Sequence, residues 1–195
     1  MTYPDIWLLR HGQTAWNAEG RIQGQMESEL TDLGRAQARL QAELIAPILK
    51  ERPACFASPL GRAQETARIA LSGVKFSTDA RLAELNAGEG QGLTRAQADL
   101  KWPGISDAHP RALDLFSEFP GSEGFAAAKA RIVEFLGHLE GPSVIVAHGL
   151  VGQIVRGLIC GLERAEMAVL PNQQGCVYVL RQGAETVLRH ETVSP

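Results

Sequence analysis

A chain of 195 residues is long enough to bury one substantial hydrophobic core, and its 45% hydrophobic and 21% charged residues exclude a disordered, collagenous or coiled-coil protein. The formal net charge of −3, with no cluster of Lys and Arg, argues against a dedicated nucleic-acid-binding protein. We therefore expect a single domain over residues 1–195 in which any anion-binding site is built locally.

The first predicted strand is the continuous apolar run of residues 6–9, which is typical of a strand buried on both faces. It is followed at once by Arg10 and His11, so polar side chains begin where the strand ends. After a polar loop, Thr31 suits the N-cap of a helix, and Pro47 marks the end of that helix or a kink.

The second predicted strand covers residues 55–57. Ser58 after it is expected to cap a helix with Pro59 at the first helical position, which puts Arg62 in the first turn. A weaker strand is predicted around residues 75–77. In the strand 55–57, as in the first strand, the chain therefore leads from the end of a strand to a cationic side chain, here that of Arg62.

The segment 88–120 is dense in Gly, Pro and polar residues and contains one modest helix candidate, residues 94–102. Long irregular connections are often functional, so we expect this segment to be a lid or cover. The clearest amphipathic helix of the chain follows, over residues 125–139.

The last strands are predicted at residues 144–147, 177–180 and 186–188. The first of them stops at His148 and Gly149 and is followed by a helix over residues 151–160. The other two form a hairpin across Gln182 and Gly183, which adds strands at one edge.

Strands that alternate with helices predict an α/β three-layer sandwich, with a mostly parallel central sheet, helices on both faces and a C-terminal edge hairpin. Ligands of such sheets bind beyond the carboxyl ends of the strands. The predicted strand ends therefore gather two arginines and two histidines in one crevice: Arg10, His11, Arg62 and His148.

Two guanidinium groups and a helix N-terminus suit a dianionic phosphate. A neutral imidazole, that of His11, can attack phosphorus and form a covalent intermediate. Glu84 is the nearest reasonable carboxyl group to protonate the leaving group and later to activate water. Arg10, Arg62 and a charged His148 can neutralise the phosphoryl oxygens in place of metal ions.

These residues stand in four blocks that resemble the signatures of the histidine phosphatase superfamily, the phosphoglycerate-mutase-like group. The blocks, in chain order, cover most of the sequence: residues 8–14 with Trp16 and Asn17, residues 58–63 with 65–67, residues 82–84 with Gly88 and Gly92, and residues 144–149.

By this resemblance His11 is the phosphorylated nucleophile and Glu84 the acid and base, assisted by Arg10, Arg62 and His148. The resemblance also implies an α/β sandwich and no metal or organic cofactor. The residues expected to contact phosphate or substrate are Arg10, Asn17, Gln23, Arg62, His148 and Gly149.

Three points in this pattern stay open. Glu89 lies close enough to Glu84 to compete for the donor role, and His148 can instead be a structural histidine that caps the following helix. Where family members often carry a Trp and an acidic residue after the donor block, this chain has Gly90 and Gln91. That departure affects how the cover packs.

The resulting hypothesis is a metal-independent phosphomonoester hydrolase that acts through a phosphohistidine on a small phosphorylated metabolite. One alternative is a phosphoglycerate mutase, for which this chain is short; another is a non-catalytic module that binds a phosphate ligand. The substrate stays open among sugar phosphates, nucleotides and cofactor precursors such as α-ribazole phosphate.

The cysteines and the N-terminus favour a cytoplasmic location. The N-terminal apolar run is too short for a secretory leader, and polar residues interrupt the apolar segment 143–162. We expect neither a membrane nor a nucleic acid as partner, and the oligomeric state stays unknown. Three cysteines lack metal or disulfide spacing and are expected to be buried thiols: Cys55, Cys160 and Cys176.

Overall fold

The computed structural model describes residues 3–190, and within them the chain forms one six-stranded sheet of order β3-β2-β4-β1-β5-β6. The first four strands in that order run parallel, and β5 and β6 are antiparallel to their neighbours. The strands are β1 (Ile6–Arg10), β2 (Ala54–Ala57), β3 (Ser77–Thr78), β4 (Ser143–Ala147), β5 (Val177–Arg181) and β6 (Ala184–Leu188).

Helices connect these strands. They are α1 (Ala15–Ala18), α2 (Asp32–Leu49), α3 (Gly61–Ala70), α4 (Arg95–Lys101), α5 (Ile105–Ala108), α6 (Ala112–Glu118), α7 (Gly124–Gly137), α8 (Gly149–Cys160) and α9 (Arg164–Met167). Two short 3-10 helices, Ala80–Leu82 and Gly88–Gly90, lie between β3 and α4.

The two faces of the sheet carry two separate hydrophobic cores, because alternate side chains of a strand point to opposite faces. Ile6 and Leu8 of β1 pack in a cluster with residues of α7 and α8. Trp7 and Leu9 pack on the other face with residues of α2 and α3. The predicted α/β three-layer sandwich with a mostly parallel sheet is confirmed.

The C-terminal hairpin is also present. Gln182 and Gly183 join β5 to β6 with φ angles of 51° and 77°, the positive values that a two-residue type I′ turn requires. The hairpin β5–β6 extends the sheet beyond β1 and forms one of its edges, as the sequence predicted.

One predicted helix start is wrong. Helix α3 begins at Gly61 with Leu60 at its N-cap, so Ser58 and Pro59 precede the helix and Ser58 does not cap it. The reason is that the Ser58 hydroxyl lies 2.6 Å from Nε2 of His148 and is used there. Arg62 nevertheless falls in the first turn, as expected.

The segment 88–120 contains three short helices, α4, α5 and α6, where the sequence predicted one. Breaks at Pro103-Gly104 and Pro110 divide it, and Gly104 takes a left-handed φ of 81° before α5. The weak strand predicted at residues 75–77 is the two-residue strand β3, Ser77–Thr78.

None of the helices in the described part of the chain is both long and apolar enough to span a membrane.

Candidate active site

A cavity of about 120 Å³ lies at the carboxyl ends of β1 and β4, beside the first turns of α3 and α8. Parallel pairing of β1 with β4 sets Arg10 opposite Ala147, and the backbone N–H of His11 donates to the Ala147 carbonyl at 3.0 Å. Most of the residues that the sequence proposed for the site line this cavity: Arg10, His11, Asn17, Gln23, Arg62, Glu84 and Gly149.

The His11 ring is held in a defined orientation. Its side chain is buried, and Nδ1 lies 2.8 Å from the carbonyl oxygen of Gly12. A carbonyl only accepts hydrogen bonds, so Nδ1 must be the protonated nitrogen. In the neutral ring Nε2 then carries the free lone pair that a nucleophile needs.

Electrostatics keep His11 neutral. Burial is the main cause that lowers the pKa of His11 well below its usual 6.5, and the positive charges of Arg62 and Arg10 add to it. The hydrogen bond to Gly12 opposes this shift. At neutral pH the imidazole is therefore unprotonated at Nε2.

Both arginines are fixed by backbone carbonyls. Arg10 Nη1 donates to the Asn172 carbonyl, and the two Nη atoms of Arg62 donate to Met26 at 3.0 Å and to Gly24 at 2.6 Å. Burial lowers the pKa of Arg10, and lowers that of Arg62 to about 10. A pKa of about 10 keeps Arg62 charged at neutral pH, and a guanidinium group is in general not deprotonated in proteins.

Several buried nitrogens around the cavity have no hydrogen-bond partner among residues 3–190. A buried polar atom without a partner is costly, so such atoms mark a place where a polar ligand completes the structure. They are Nε of Arg10, Nε of Arg62, Nε2 of Gln23 and Nδ1 of His148. An anion with several acceptor oxygens could accept hydrogen bonds from such nitrogens while the charges of Arg10 and Arg62 attract it.

Of the two candidate donors, only Glu84 lines the cavity. It is buried, and its carboxylate accepts the backbone N–H groups of Leu150 and Val151 at 3.1 and 3.0 Å, at the start of α8. Glu89 is exposed and pairs with Lys101 Nζ at 2.6 Å. The position of Glu84 in the cavity therefore favours it over Glu89, and the backbone N–H groups and the N-terminal dipole of α8 stabilise the carboxylate that remains after proton donation.

His148 lies beside His11, with ring centroids 5.1 Å apart, although it is not itself among the residues that line the cavity. Burial, then Arg62, His11 and Arg10, lower its pKa well below 6.5. Burial and these positive charges favour a neutral ring, and not the charged His148 that the sequence suggested. His148 also occupies the N-cap of α8 without a side-chain cap bond, so a capping role does not account for it.

Asn17 and Gln23 contribute amides. Asn17 Oδ1 accepts the backbone N–H of Thr14 at 3.2 Å, within a capping box at the start of α1. Gln23 Oε1 lies 3.2 Å from the hydroxyl of Thr14, which leaves its Nε2 without a partner in the described residues. Thr14 thus fixes both oxygens and leaves both amide nitrogens for the cavity.

The sequence did not identify several residues at the site. The sequence predicts Ser58 as a helix cap and places it in the second block, but it does not predict the contact of the Ser58 hydroxyl with His148 Nε2 at 2.6 Å. Phe116 lies in the expected cover, so its region was foreseen although its position was not. Two further cavity-lining residues, Arg21 and Gly24, stand beside Gln23 in the sequence but were not proposed for the site. Others lie outside the four blocks: Ala112, Leu150 and Asn172.

The departures at Gly90 and Gln91 have a packing explanation. A Cβ on Gly90 would lie 2.3 Å from the ring of Phe119, so only glycine admits that ring. Gln91 Oε1 accepts the backbone N–H of Gln25 at 2.7 Å, which joins the cover to the loop between α1 and α2.

Among residues 3–190, no group of three or more His, Cys, Asp or Glu side chains is arranged to hold a metal ion.

Comparison with known proteins gives the following. The sequence profile described as histidine phosphatase superfamily (branch 1) matches residues 6–191. The glucosyl-3-phosphoglycerate phosphatase of Mycobacterium tuberculosis is 35% identical over 173 residues, which cover 81% of this chain and 73% of that protein. The protein of the same name from Mycolicibacterium vanbaalenii is 46% identical over 101 residues, so the match spans 50% of this chain and only 43% of that relative.

Some similar proteins are named as mutases and not as phosphatases. A protein of Yersinia enterocolitica named "Probable phosphoglycerate mutase" is 45% identical over 85 residues, 43% of this chain and 39% of that protein. Among solved structures, a mycobacterial glucosyl-3-phosphoglycerate phosphatase in complex with VO3 matches with a TM-score of 0.74 at 30% identity, over 90% of this chain and 92% of that chain.

Proposed function

This chain belongs to the histidine phosphatase superfamily (branch 1), and we propose that it is a metal-independent phosphomonoesterase that acts through phosphorylated His11. The observation that carries the proposal is the contact of His11 Nδ1 with the Gly12 carbonyl, which leaves Nε2 unprotonated in a ring whose pKa is lowered by burial and by Arg62 and Arg10. Three of the four buried nitrogens without partners among the described residues belong to side chains that line the same cavity, those of Arg10, Gln23 and Arg62.

In the first step, Nε2 of His11 attacks phosphorus, an N–P bond forms and the P–O bond to the leaving group breaks. A protonated Glu84 gives its proton to the departing oxygen and becomes a carboxylate. The hydrogen bond from Nδ1 to the Gly12 carbonyl stabilises the positive charge that the phosphorylated ring acquires. Arg10 and Arg62 offset the charge on the phosphoryl oxygens.

In the second step, the Glu84 carboxylate takes a proton from water while the water oxygen attacks phosphorus. The N–P bond breaks, inorganic phosphate leaves, and His11 returns to its neutral state. The amides of Asn17 and Gln23, the backbone at Gly149 and the neutral His148 complete the phosphate contacts in this proposal.

The substrate class that fits is a small phosphorylated metabolite. The cavity volume of about 120 Å³ supports this, as does the activity in the names of the M. tuberculosis and M. vanbaalenii relatives. We place the activity in the cytoplasm, which the free thiols of Cys55, Cys160 and Cys176 support. The segment 88–120 acts as the cover, since Ala112 and Phe116 of α6 wall the cavity.

The test uses purified protein and p-nitrophenyl phosphate in the presence of EDTA. We expect hydrolysis that does not depend on divalent ions, saturable inhibition by vanadate, and loss of activity in His11→Ala. Activity that persists in His11→Ala, or that requires a divalent ion, would contradict the proposal. Incubation with 3-phosphoglycerate separates phosphate release from the interconversion that a mutase would catalyse.

A further inference from the structure

We propose that Gln174 is a positioning residue of this site: its side-chain amide holds the backbone of His11 and turns the amide of Asn17 so that the NH2 group of Asn17 faces the phosphate. The inference rests on the proposed function, because it concerns the same cavity. Gln174 does not line that cavity, so it acts through its two neighbours and not by touching substrate.

The contacts of Gln174 identify its own orientation. Its Nε2 lies 3.1 Å from the carbonyl oxygen of His11 and 3.1 Å from Oδ1 of Asn17. Both of these atoms accept hydrogen bonds, so the atom between them must be the amide nitrogen, which has two hydrogens to give. One amide group therefore joins the backbone of the nucleophile to a residue of the expected phosphate pocket.

The orientation of Asn17 follows from the same logic. The backbone N–H of Thr14 is only a donor, so the Asn17 atom that faces it at 3.2 Å must be the oxygen. Gln174 supplies a second donor to that oxygen, which occupies its two lone pairs. The Nδ2 group of Asn17 is then left for the cavity that Asn17 lines. Without Gln174, only one hydrogen bond sets this orientation.

The segment that carries Gln174 is itself fixed. The Pro171 carbonyl accepts from Arg156 Nη1 at 2.6 Å and from the Tyr178 hydroxyl at 3.1 Å. The neighbouring Asn172 carbonyl accepts from Arg10. The segment is therefore anchored to the molecule on one side and to the phosphate pocket on the other, which makes Gln174 a rigid support for Asn17.

The first test replaces Gln174 by Met, which keeps the length of the side chain and removes both donors. We expect kcat/KM for p-nitrophenyl phosphate to fall about 10- to 100-fold, the order of loss that a small misplacement of catalytic groups causes. Vanadate affinity falls with it, while Tm stays close to that of the wild type. Gln174→Glu should lower kcat/KM further, because its carboxylate would face the carbonyl oxygen of His11 and Oδ1 of Asn17.

Gln173→Met is the matched control. Gln173 is an exposed neighbour whose side chain makes no hydrogen bond within residues 3–190. Its substitution should leave kcat/KM, vanadate affinity and Tm unchanged. A loss equal to that of Gln174→Met would overturn the inference, since the effect would then belong to the loop as a whole.

A double-mutant cycle separates positioning from a general structural role. If Gln174 acts in part by orienting Asn17, then Gln174→Met lowers kcat/KM by a clearly smaller factor in an Asn17→Ala background than in the wild type, and the loss that remains belongs to the contact with the His11 backbone. Losses that simply multiply overturn the inference, as does a lowered Tm with unchanged kcat/KM. An active wild type with an equally active Gln174→Met overturns this inference alone. A wild type with neither turnover nor vanadate binding overturns the proposed function, and this inference with it.

Discussion

At the scale of single residues, the chemistry depends on how His11 is kept neutral while two cations surround it. Burial alone disfavours the protonated ring, and Arg62 and Arg10 make protonation still less favourable. The same two arginines attract the phosphate dianion. One arrangement of charges therefore binds the substrate and keeps the nucleophile in its reactive form.

We expect nitrogen NMR of labelled protein to show His11 as the neutral Nδ1–H tautomer at pH 6.5, with a protonation midpoint below that pH. A lowered pKa means that the reactive form persists as the pH falls below 6.5. Arg62→Met removes a cation, so the midpoint should move to higher pH. A wild-type midpoint at or above 6.5, or an Nε2–H tautomer, would contradict this account.

The role of Glu84 as proton donor can be tested with two substrates, one whose leaving group needs a proton and one whose leaving group does not. Glu84→Gln cannot donate a proton, so we expect a loss of about 10²- to 10⁴-fold in kcat for an alkyl phosphate, the usual contribution of a general acid. p-Nitrophenolate leaves without help, so phosphorylation of His11 by p-nitrophenyl phosphate should change far less in a burst experiment. Glu89→Gln is the control, because Glu89 pairs with Lys101 outside the cavity. Equal losses in the two variants would argue against Glu84 as the donor.

At the scale of secondary-structure elements, the strands that build the site were predictable because each is an unbroken apolar run that ends in a polar residue. Residues 6–9 and 144–147 are of this kind, and their parallel pairing brings the residues after them together. In segment 88–120 the sequence predicted the helix that is α4 but not α5 and α6, whose residues Ile105 and Leu115 pack with Ile22 and Phe119 in a small separate cluster. Gln174 was missed for a related reason: its partners are 163 and 157 residues away.

That small cluster gives a prediction about the cover. Gly90→Ala puts a methyl group 2.3 Å from the Phe119 ring, so we expect a loss of about 1–3 kcal/mol in the free energy of unfolding, the usual cost of overpacking. Phe119→Leu should recover part of the loss. Gly137→Ala is the matched control, because a Cβ there meets no atom within 4 Å. Chemical denaturation measures Gly90→Ala, its combination with Phe119→Leu, and Gly137→Ala, and an unchanged midpoint for Gly90→Ala would refute the packing explanation.

At the scale of the whole molecule, the C-terminal hairpin is tied to the site through a buried ion pair. Arg156 of α8 is only 1% exposed and bonds both carboxylate oxygens of Glu185 on β6, at 2.6 and 2.7 Å. The guanidinium carbon also lies 3.9 Å from the centre of the Tyr178 ring. Between these elements runs the segment that carries Asn172 and Gln174, so the sheet edge supports the cavity although it contributes no side chain to it.

Breaking this ion pair therefore has two expected consequences. Arg156→Met leaves Glu185 without its partner and removes the donor to Pro171, so we expect about 3–5 kcal/mol less stability, the cost of an orphaned charge. The double variant Arg156→Met with Glu185→Met should regain much of that stability, because no unpaired charge remains. Activity should stay reduced even in the double variant, since the Pro171 carbonyl has still lost the donor Arg156 and keeps only the Tyr178 hydroxyl. Full recovery of kcat/KM together with stability would show that the hairpin stabilises the fold without supporting the site.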